Sequence, residues 1–343
     1  SLALYLLCIF EPAKSVSQES GLKYFISSSL ASAIILYGIA LIYGATGSTW
    51  LPEISARVGQ GGILLMVGGA LLASGLAFKI AAVPFHVWSP DVYQGAPTSV
   101  TAFMSVATKT AALVALFRFF PLTLGTAAGP SDLQRIHWWI ILWSLAILSM
   151  LMGNLMALSQ SNLKRMLAYS GIAQAGYLLS AVFAGTPQAQ GAMLYYLMVY
   201  AFMNIGAFLV VSALEEVGED LSLASLAGLS MRQPVLSGAL AIFLFSLTGL
   251  PPTAGFFAKF GLFGSLLNAP GGLLPRYLVA AGLVGSLLSA GYYLRAAAQV
   301  YAPGPAPEPQ RSIPAGFWIA IGLCIAGVFG LSLAAQPTLE IGR

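Results

Sequence analysis

The sequence predicts an all-α protein that crosses a membrane many times; two observations support this prediction, and a third points to a polar site within the membrane. Of its 343 residues, 58% are hydrophobic and only 8% are charged, whereas about a quarter of the residues in a soluble domain are charged. Apolar stretches of about 20 residues, the length that crosses the hydrocarbon core as a helix, recur along the chain. Lys79, Lys109 and Lys259 lie inside such stretches, where a lysine costs roughly 2.5–3.5 kcal/mol on insertion scales.

About nine full spans follow the apolar segment 1–10, which is too short to cross a membrane. We interpret that segment as the remainder of a helix that begins before this chain. The loops between the spans are short and leave no room for a soluble domain. The predicted spans are residues 24–44, 61–83, 98–121, 135–158, 163–185, 190–214, 235–267, 276–301 and 313–335.

Two of these spans contain helix-breaking prolines near a lysine. Lys79 is followed by Pro84, and Lys259 is preceded by Pro251 and Pro252 in a stretch that is too long for one straight crossing. Proline lacks a backbone N–H and collides with the preceding turn, so nearby carbonyl groups lose their helical partners. We therefore predict discontinuous helices at both positions. Buried amines beside broken helices indicate an ion or proton pathway.

The order of lysine and proline is reversed between the two halves of the chain. Lys79 precedes its proline and Lys259 follows its prolines, while five spans separate the two elements, so these elements cross the membrane in opposite directions. The two lysines can therefore occupy matching positions of an inverted repeat. Transporters often combine inverted repeats with broken helices near the middle of the membrane.

The basic residues divide unevenly between the two membrane faces if the spans alternate in direction. Seven fall on one face and five on the other, so the positive-inside rule favours the first face as the cytoplasmic one. The seven are Lys14, Lys23, Lys164, Arg165, Arg232, Arg295 and Arg311, and the five are Arg57, Arg118, Arg135, Arg276 and Arg343.

The composition argues against several other classes of function. Cys8 and Cys324 lie in apolar segments far apart in the sequence and are predicted to be small buried hydrophobic residues. Two cysteines and two histidines cannot supply iron–sulfur or haem sites at the usual spacings. No glycine-rich loop lies in a strand–helix context for nucleotide binding. The net charge of +4 is spread thinly, so we predict no nucleic-acid partner.

Several long motifs carry a resemblance to a known family. They are FKIAAVPFHVWSPDVYQGAPTSVTAFMSVATKTAALVALFRFF, GNLMALSQSNLKRMLAYSGIAQAGYLL and LTGLPPTAGFFAKF, with KYFISSSLASAIILYG upstream. Over residues 1–301 the chain resembles the antiporter-like membrane subunits of proton-translocating NADH–quinone oxidoreductase, respiratory complex I. The stretch SVATKTAAL, which contains Lys109, is similar to subunit N, whereas the sister subunits L and M tend to have histidine there.

The resemblance implies a fold of two inverted five-helix repeats, each with one discontinuous helix, plus peripheral helices. In a single membrane domain, 1–343, it implies that the rest of the first repeat occupies residues 1–121, the second repeat residues 135–301 and a C-terminal helix residues 302–343. It also implies that several N-terminal helices are missing from this chain. The glutamate that pairs with Lys79 in the family would fall a few residues before Ser1, on the helix of which segment 1–10 is the remainder.

The same resemblance implies a proton relay through three lysines. Lys79 and Lys259 match the lysines of the two discontinuous helices, and Lys109 matches the central lysine that connects them. Desolvation disfavours the ammonium form of a buried lysine and a nearby carboxylate restores it, so such a lysine can accept and release protons when a neighbouring charge moves. The alternative is that these lysines snorkel or pair with carbonyl groups.

Other polar residues have two possible roles each. His86 and Asp91, beyond the first break, either belong to a proton path or cap and anchor the loop. A further group either hydrates a channel or makes packing contacts between helices. Its members are Ser105, Thr108, Tyr169, Ser170 and Gln174.

Three charged features are predicted to be structural. Lys164 and Arg165 open a helix and are interpreted as a topology and headgroup anchor, and His137 is interpreted as an interfacial residue beside tryptophans. An acidic cluster is interpreted most simply as a solvated loop, and the alternative is that it meets a partner subunit. It consists of Glu215, Glu216, Glu219 and Asp220.

The resemblance implies a proton-translocating subunit whose redox chemistry lies in other subunits, where FMN, iron–sulfur clusters and quinone are expected. Its expected partners are M-like and K-like membrane neighbours, the lipid bilayer, protons and water. The expected location is a bacterial inner membrane, or a thylakoid or mitochondrial inner membrane for an organellar protein. Two alternatives stay open: a subunit of an Mrp-type cation/proton antiporter, and a structural spacer of the membrane arm.

Overall fold

The computed structural model describes residues 2–11, 14–124, 133–304 and 313–335, and nearly all of them are helical. Within these ranges, eight helices are long and apolar enough to cross a membrane, and two shorter apolar helices accompany them. The prediction of an all-α polytopic membrane protein is confirmed. Cys8 and Cys324 are free and buried, as predicted.

The helices follow the predicted spans closely, and fourteen α-helices are numbered here among the described residues. In the first half they are α1 (Leu2–Cys8), α2 (Ser15–Thr46), α3 (Leu51–Arg57), α4 (Gly62–Lys79), α5 (Trp88–Gly95) and α6 (Thr98–Phe119). In the second half they are α7 (Leu133–Leu158), α8 (Leu163–Ala184), α9 (Pro187–Glu216), α10 (Leu229–Arg232), α11 (Pro234–Thr248), α12 (Ala254–Leu267), α13 (Leu274–Tyr301) and α14 (Ala315–Leu333).

Local sequence signals set the ends of the central helices. The Asn162 side chain accepts a hydrogen bond from the N–H of Arg165 at the start of α8. The Thr186 hydroxyl accepts one from the N–H of Ala189 at the start of α9. Both side chains satisfy N–H groups that the first turn of a helix leaves without partners. Gly185, with φ 61°, ends α8 in the left-handed conformation that glycine tolerates.

Helix α8 is the central element of the fold. Every residue in its most apolar 18-residue window is buried, and it packs against α5, α6, α7, α9, α12 and α13. Two glycines let the backbones of α7 and α8 approach closely. A Cβ on Gly153 would lie 2.6 Å from the Ala173 nitrogen, and one on Gly176 would lie 2.6 Å from the Met150 nitrogen. Small residues permit this kind of close helix packing in membranes.

Two membrane segments are discontinuous, one in each half. The first is split into α4 and α5, and the second into α11 and α12. The predicted inverted arrangement with discontinuous helices is confirmed. The boundaries predicted at residues 1–121, 135–301 and 302–343 stay predictions.

The two membrane faces differ in charge. On one, which we call the Lys164 face, α6 and α8 begin and α9 ends, and the backbone N–H of Leu163 bonds to the carbonyl of Leu221. All six ion pairs found among the described residues involve groups of this face. The opposite face carries Arg57, which donates to the Thr46 carbonyl. Four predicted residues have side chains outside the described part: Arg135, His137, Arg311 and Arg343.

Candidate functional site

The first interruption separates α4 from α5. Ala81 has a φ of 57°, which is uncommon for a residue with a side chain, and it turns the chain out of the helix. Pro84 follows and has no N–H to donate. The N–H of Val83 donates to the Ser149 hydroxyl of α7 at 2.9 Å. The helix therefore ends a few residues before the predicted position, because the turn at Ala81 precedes the proline.

Lys79 is the last residue of α4, and its amine reaches α2. Its Nζ donates to the Ser28 hydroxyl at 2.7 Å and lies 3.4 Å from the Ser32 hydroxyl. The lysine is half-buried. Neutral hydroxyl groups of a neighbouring helix thus stabilise its ammonium form.

The second interruption separates α11 from α12. Gly249 has a φ of 89°, in the region that favours glycine, and Pro251 and Pro252 lie between the two helices. Lys259 reaches back from α12, and its Nζ donates to the Thr248 carbonyl oxygen at 2.8 Å. The lysine therefore satisfies one of the carbonyl groups that the end of α11 leaves without a helical partner.

A close backbone approach encloses Lys259. A Cβ on Gly255 would lie 1.8 Å from the Ser246 carbonyl oxygen, so the start of α12 can pass α11 at this distance only with glycine. Lys259 is 5% exposed, and its Nζ lies 5.0 Å from the centroid of the Tyr177 ring. The negative face of an aromatic ring attracts an ammonium group.

Lys109 occupies the middle of the unbroken helix α6 and is 1% exposed. Its Nζ donates to the Gly171 carbonyl oxygen of α8 at 2.7 Å and lies 6.0 Å from the centroid of the Tyr93 ring. A Cβ on Gly171 would lie 2.8 Å from this Nζ and 3.3 Å from the Tyr200 hydroxyl. The absence of a side chain at Gly171 therefore leaves room for both polar groups.

Helix α8 contacts both buried lysines. Gly171 accepts from Lys109, and Tyr177, about 9 Å further along the helix, lies beside Lys259. One helix thus brings the two lysines into the same polar interior. Lys79 is held instead by α2.

Gln174 lies between these two contacts on α8. Its Nε2 donates to the Leu247 carbonyl oxygen at 3.4 Å, next to Thr248, which accepts from the lysine of α12. The Tyr196 hydroxyl of α9 donates to its side-chain oxygen. Gln174 therefore continues the polar contacts from α8 to the break between α11 and α12.

The other predicted path residues have different surroundings. The Ser105 hydroxyl is buried and accepts a hydrogen bond from Asn204 Nδ2 at 2.6 Å. The Thr108 hydroxyl donates to the Met104 carbonyl of its own helix. Tyr169 is buried on α8. Ser105 thus joins α6 to α9, whereas the Thr108 hydroxyl bonds within its helix.

His86 and Asp91 lie beyond the first break, on the side of the Lys164 face. His86 Nδ1 is buried and has no hydrogen-bond partner among the described residues. Asp91 forms ion pairs with Lys23 at 3.0 Å and Arg165 at 2.7 Å. Asp91 therefore anchors α5 to α2 and α8, and a role of either residue in a proton path stays a prediction.

The interpretation of Lys164 as a headgroup anchor is wrong. Its side chain is 5% exposed and pairs with Glu215 at 3.2 Å, because the end of α9 and the residues before α6 cover it. The acidic cluster is also not uniformly solvated. Glu219 is 10% exposed and bonds Arg232 through both carboxylate oxygens, whereas Glu216 is exposed.

Sequence reasoning did not predict the roles of Gly171 and Tyr177. A backbone carbonyl acceptor leaves no signal in the residue type, and an aromatic residue in an apolar helix usually indicates packing. The spacing of positions 171, 174 and 177 along one helix was the available signal. It becomes informative only when the partner helices are known.

The broken helices and the lysines beside them define the class: a polytopic membrane protein of the transporter type, in which interrupted helices lie next to charged side chains within the membrane. Residues 1–289 match the family described as NADH:quinone oxidoreductase/Mrp antiporter, TM. The chain belongs to this family of membrane subunits.

Relatives and solved structures agree with this membership. The chain is 42% identical to NADH-quinone oxidoreductase subunit N of Chloroflexus aggregans, over 99% of this chain and 69% of that protein. It is similar to a chain of respiratory complex I from Thermus thermophilus with bound aureothin, at 36% identity and a TM-score of 0.81, covering 99% of this chain and 72% of the other. It is also similar to a chain of the Mrp complex from Dietzia sp. DQ12-45-1b, at 25% identity and a TM-score of 0.77, covering 96% and 66%.

Proposed function

We propose that this chain is a subunit-N-type, proton-translocating membrane subunit of a bacterial NADH–quinone oxidoreductase. The observation that carries the proposal is the placement of Lys109 and Lys259 along one buried helix, α8. The lysines contact α8 at Gly171 and Tyr177, and Lys259 also bonds the free end of a broken helix. The identity of 42% to a relative named NADH-quinone oxidoreductase subunit N supports the same assignment.

Proton movement follows from the burial of two like charges. Two ammonium groups repel each other more strongly in the protein interior than in water, so a proton on Lys109 disfavours a proton on Lys259. A charge that moves beside one lysine therefore changes the proton affinity of the next. Gln174 and Tyr196 supply polar groups between them. One proton is bound and one released at each transfer, with no other change in the chain.

Lys79 completes the proposed relay at the other break. Its ammonium group bonds hydroxyl groups of α2. Lys79 is the last residue of α4, just as Lys259 bonds the last residue of α11. Hydroxyl groups can both accept and donate a hydrogen bond, so Ser28 and Ser32 can pass a proton to or from this lysine. The proposed relay therefore includes all three lysines.

The rest of the assembly is part of the proposal. We assign the catalysis of NADH oxidation, with its FMN, iron–sulfur clusters and quinone, to other subunits, and we assign only proton translocation to this chain. Its neighbours in the membrane are proposed to be M-like and K-like subunits. The free energy released in the NADH-oxidising subunits would then drive protons through this chain.

A second candidate function is a subunit of an Mrp-type cation/proton antiporter. The similarity to a chain of the Mrp complex at 25% identity favours this candidate, but it is lower than the identity to the subunit N relative. Purification of the assembly discriminates between them. A complex with flavin, iron–sulfur clusters and NADH oxidation supports the first candidate, and a complex that exchanges cations for protons without these groups supports the second.

The relay is tested by removing single lysines in the complete complex. Lys109→Ala and Lys259→Ala should lower proton uptake into vesicles per NADH oxidised by roughly tenfold or more, because a positioned proton-transfer group contributes about 10²–10⁴-fold. Lys→Arg should also impair pumping, because guanidinium stays protonated. Arg276→Ala, at an exposed basic residue near the start of α13, is the control. Normal pumping with arginine at both positions would contradict a protonation relay, and normal pumping with alanine would favour the spacer role.

Gly171→Ala provides a sharper test because it displaces Lys109 without removing it. The new methyl group would lie 2.8 Å from Nζ, and the amine has to leave the Gly171 carbonyl. We expect a severalfold loss of pumping with normal assembly, since alanine is about 1 kcal/mol better than glycine in a helix. Gly322→Ala, where the added atom meets nothing within 4 Å, is the control. Equal pumping by Gly171→Ala and Gly322→Ala would show that the relay does not need the contact between Lys109 and the Gly171 carbonyl.

A further inference from the structure

A second constellation of polar groups lies at the Lys164 face, apart from the three lysines of the proposed relay. Lys164 Nζ lies 3.2 Å from a carboxylate oxygen of Glu215 and donates to the Ala96 carbonyl, also at 3.2 Å. The Thr98 hydroxyl donates to the other carboxylate oxygen. The Lys164 side chain is 5% exposed, whereas that of Glu215 is 39% exposed. A solvent-accessible carboxylate therefore covers a buried ammonium group.

The helices that hold this constellation are the ones that enclose Lys109. Thr98 begins α6, Lys164 lies in the first turn of α8, and Glu215 lies in the last turn of α9. Further along the same helices, Lys109 of α6 meets Gly171 of α8, beside Tyr200 of α9. The Lys164–Glu215 ion pair therefore lies at the aqueous ends of α6, α8 and α9, and Lys109 lies deeper between the same three helices.

Buried polar groups lie between the Lys164–Glu215 ion pair and Lys109. Thr101 and Ser105 are buried on α6, and Ser105 accepts a hydrogen bond from Asn204 of α9 at 2.6 Å. Asn204 Oδ1 and the Tyr200 hydroxyl are buried without a hydrogen-bond partner among the described residues. Buried polar atoms of this kind are commonly satisfied by ordered water. Polar groups thus recur over the roughly 16 Å of α6 between Thr98 and Lys109.

We propose that Glu215 is the portal through which protons from the Lys164 face reach Lys109, with Lys164 holding its carboxylate in place. This inference rests on the proposed function. The Glu215 carboxyl group takes a proton from the aqueous face and releases it inward. The proton passes along the hydroxyl, amide and water groups between α6 and α9 and ends on the Lys109 amine. Glu215 returns to the carboxylate that pairs with Lys164, so each cycle moves one proton.

The charged groups that face the portal come from three segments. Lys164 belongs to α8, Lys14 and Glu11 belong to the segment before α2, and Glu216 follows on α9. The charge count of the Lys164 face predicts that it is the cytoplasmic one. The portal would therefore load the relay from the cytoplasm.

The test uses the complete complex in vesicles, with proton uptake measured per NADH oxidised. Glu215→Gln should lower pumping by roughly tenfold, as expected for loss of a positioned proton-transfer group, and Glu215→Asp should keep a substantial part of it because a carboxyl group remains. Glu19→Gln is the matched control, because Glu19 is an exposed carboxylate of the same face and its ion pair with Lys23 is exposed as well. Its pumping should stay normal.

A double variant separates the portal from a purely structural ion pair. Removal of one partner leaves an unpaired charge, whereas removal of both partners relieves that cost. If the pair only fastens α8 to α9, Lys164→Met combined with Glu215→Gln should restore pumping. If Glu215 carries protons, the double variant should stay as low as Glu215→Gln. Restored pumping, or normal pumping by Glu215→Gln, overturns the inference.

Failure of the portal is distinguishable from failure of the relay. Normal pumping by Lys109→Ala would remove the proposed function itself. Loss of pumping by Lys109→Ala together with normal pumping by Glu215→Gln would remove only the portal. If Glu215→Gln does not assemble, the double variant of Lys164→Met with Glu215→Gln decides in its place, and normal pumping by that variant would count against the portal.

Discussion

The two helix breaks stabilise their lysines in different ways. At the second break, Lys259 bonds the Thr248 carbonyl, which the ended helix leaves free, and is closed in by Tyr177. At the first break, Lys79 bonds the hydroxyl groups of Ser28 and Ser32 on a neighbouring helix. One lysine is therefore held by the backbone of its own break, and the other by side chains from elsewhere.

Each break thus has a lysine beside it, but the hydrogen-bond partners of the two lysines differ in kind. The order of lysine and proline is reversed between the two breaks, so one lysine lies before its break and the other lies after it. Lys79 is the last residue of α4, whereas Lys259 lies in the second turn of α12. Mutation can therefore remove the two hydroxyl partners of Lys79 on α2, but it cannot remove the backbone carbonyl that accepts from Lys259.

The largest expected effect concerns the backbone contact at the second break. Gly255→Ala places a Cβ 1.8 Å from the Ser246 carbonyl oxygen, and overpacking of this kind costs about 1–3 kcal/mol or more. We expect less assembled complex and a lower temperature at which the purified complex loses this subunit. Gly316→Ala, in open space, is the control. Assembly equal to the control would show that the two half-helices can separate without cost.

The next effect concerns the backbone of the first break. Ser149→Ala removes the acceptor of the Val83 N–H and leaves a buried donor unsatisfied, which costs about 1–3 kcal/mol. The thermal stability of the purified complex should fall accordingly. Ser159→Ala, at an exposed hydroxyl near the end of α7, should leave it unchanged. If both variants were equally stable, the hydroxyl of α7 would have no part in fixing the first break.

The smallest effect tests the difference between side-chain and backbone partners. Ser28→Ala should lower pumping a few-fold, because a hydrogen bond to a charged group contributes about 1.5–3 kcal/mol and Ser32 recovers part of it. Thr248→Ala should leave pumping normal, because Lys259 bonds the backbone oxygen. Tyr5→Phe controls for the hydrogen bond that Tyr5 donates to Ser28. The reverse ranking of Ser28→Ala and Thr248→Ala would break the comparison.

Much of the fold could be predicted from the sequence because a membrane leaves few choices. The hydrocarbon core requires about 20 apolar residues per helix, so the predicted spans agree with the observed helices within a few residues at most ends. Proline cannot donate a backbone hydrogen bond, so both breaks were predictable. The first helix nevertheless ends before the predicted position, since the turn at Ala81 depends on packing that proline does not specify.

The polar site was less predictable. Lys109 and Lys259 stood out because charged residues are rare in apolar spans. Their acceptors are the carbonyl groups of Gly171 and Thr248, and a carbonyl group is present at every residue. The prediction that Lys164 is a headgroup anchor was wrong because its burial also depends on neighbouring elements. At the start of a helix, a lysine is exposed or buried according to the elements that cover it.

The sequence by itself determined the class, the spans, the two breaks and the lysines in the membrane, because each depends on local composition or on proline chemistry. Only the tertiary structure decided which partners those lysines have. Lys109 contacts Gly171 and Lys259 contacts Tyr177 because α8 lies at the centre, and Glu215 meets Lys164 because α9 ends beside the start of α8. Contacts between helices depend on which faces pack together. These helices carry apolar residues on several sides, so the sequence does not show which side of a helix faces which neighbour.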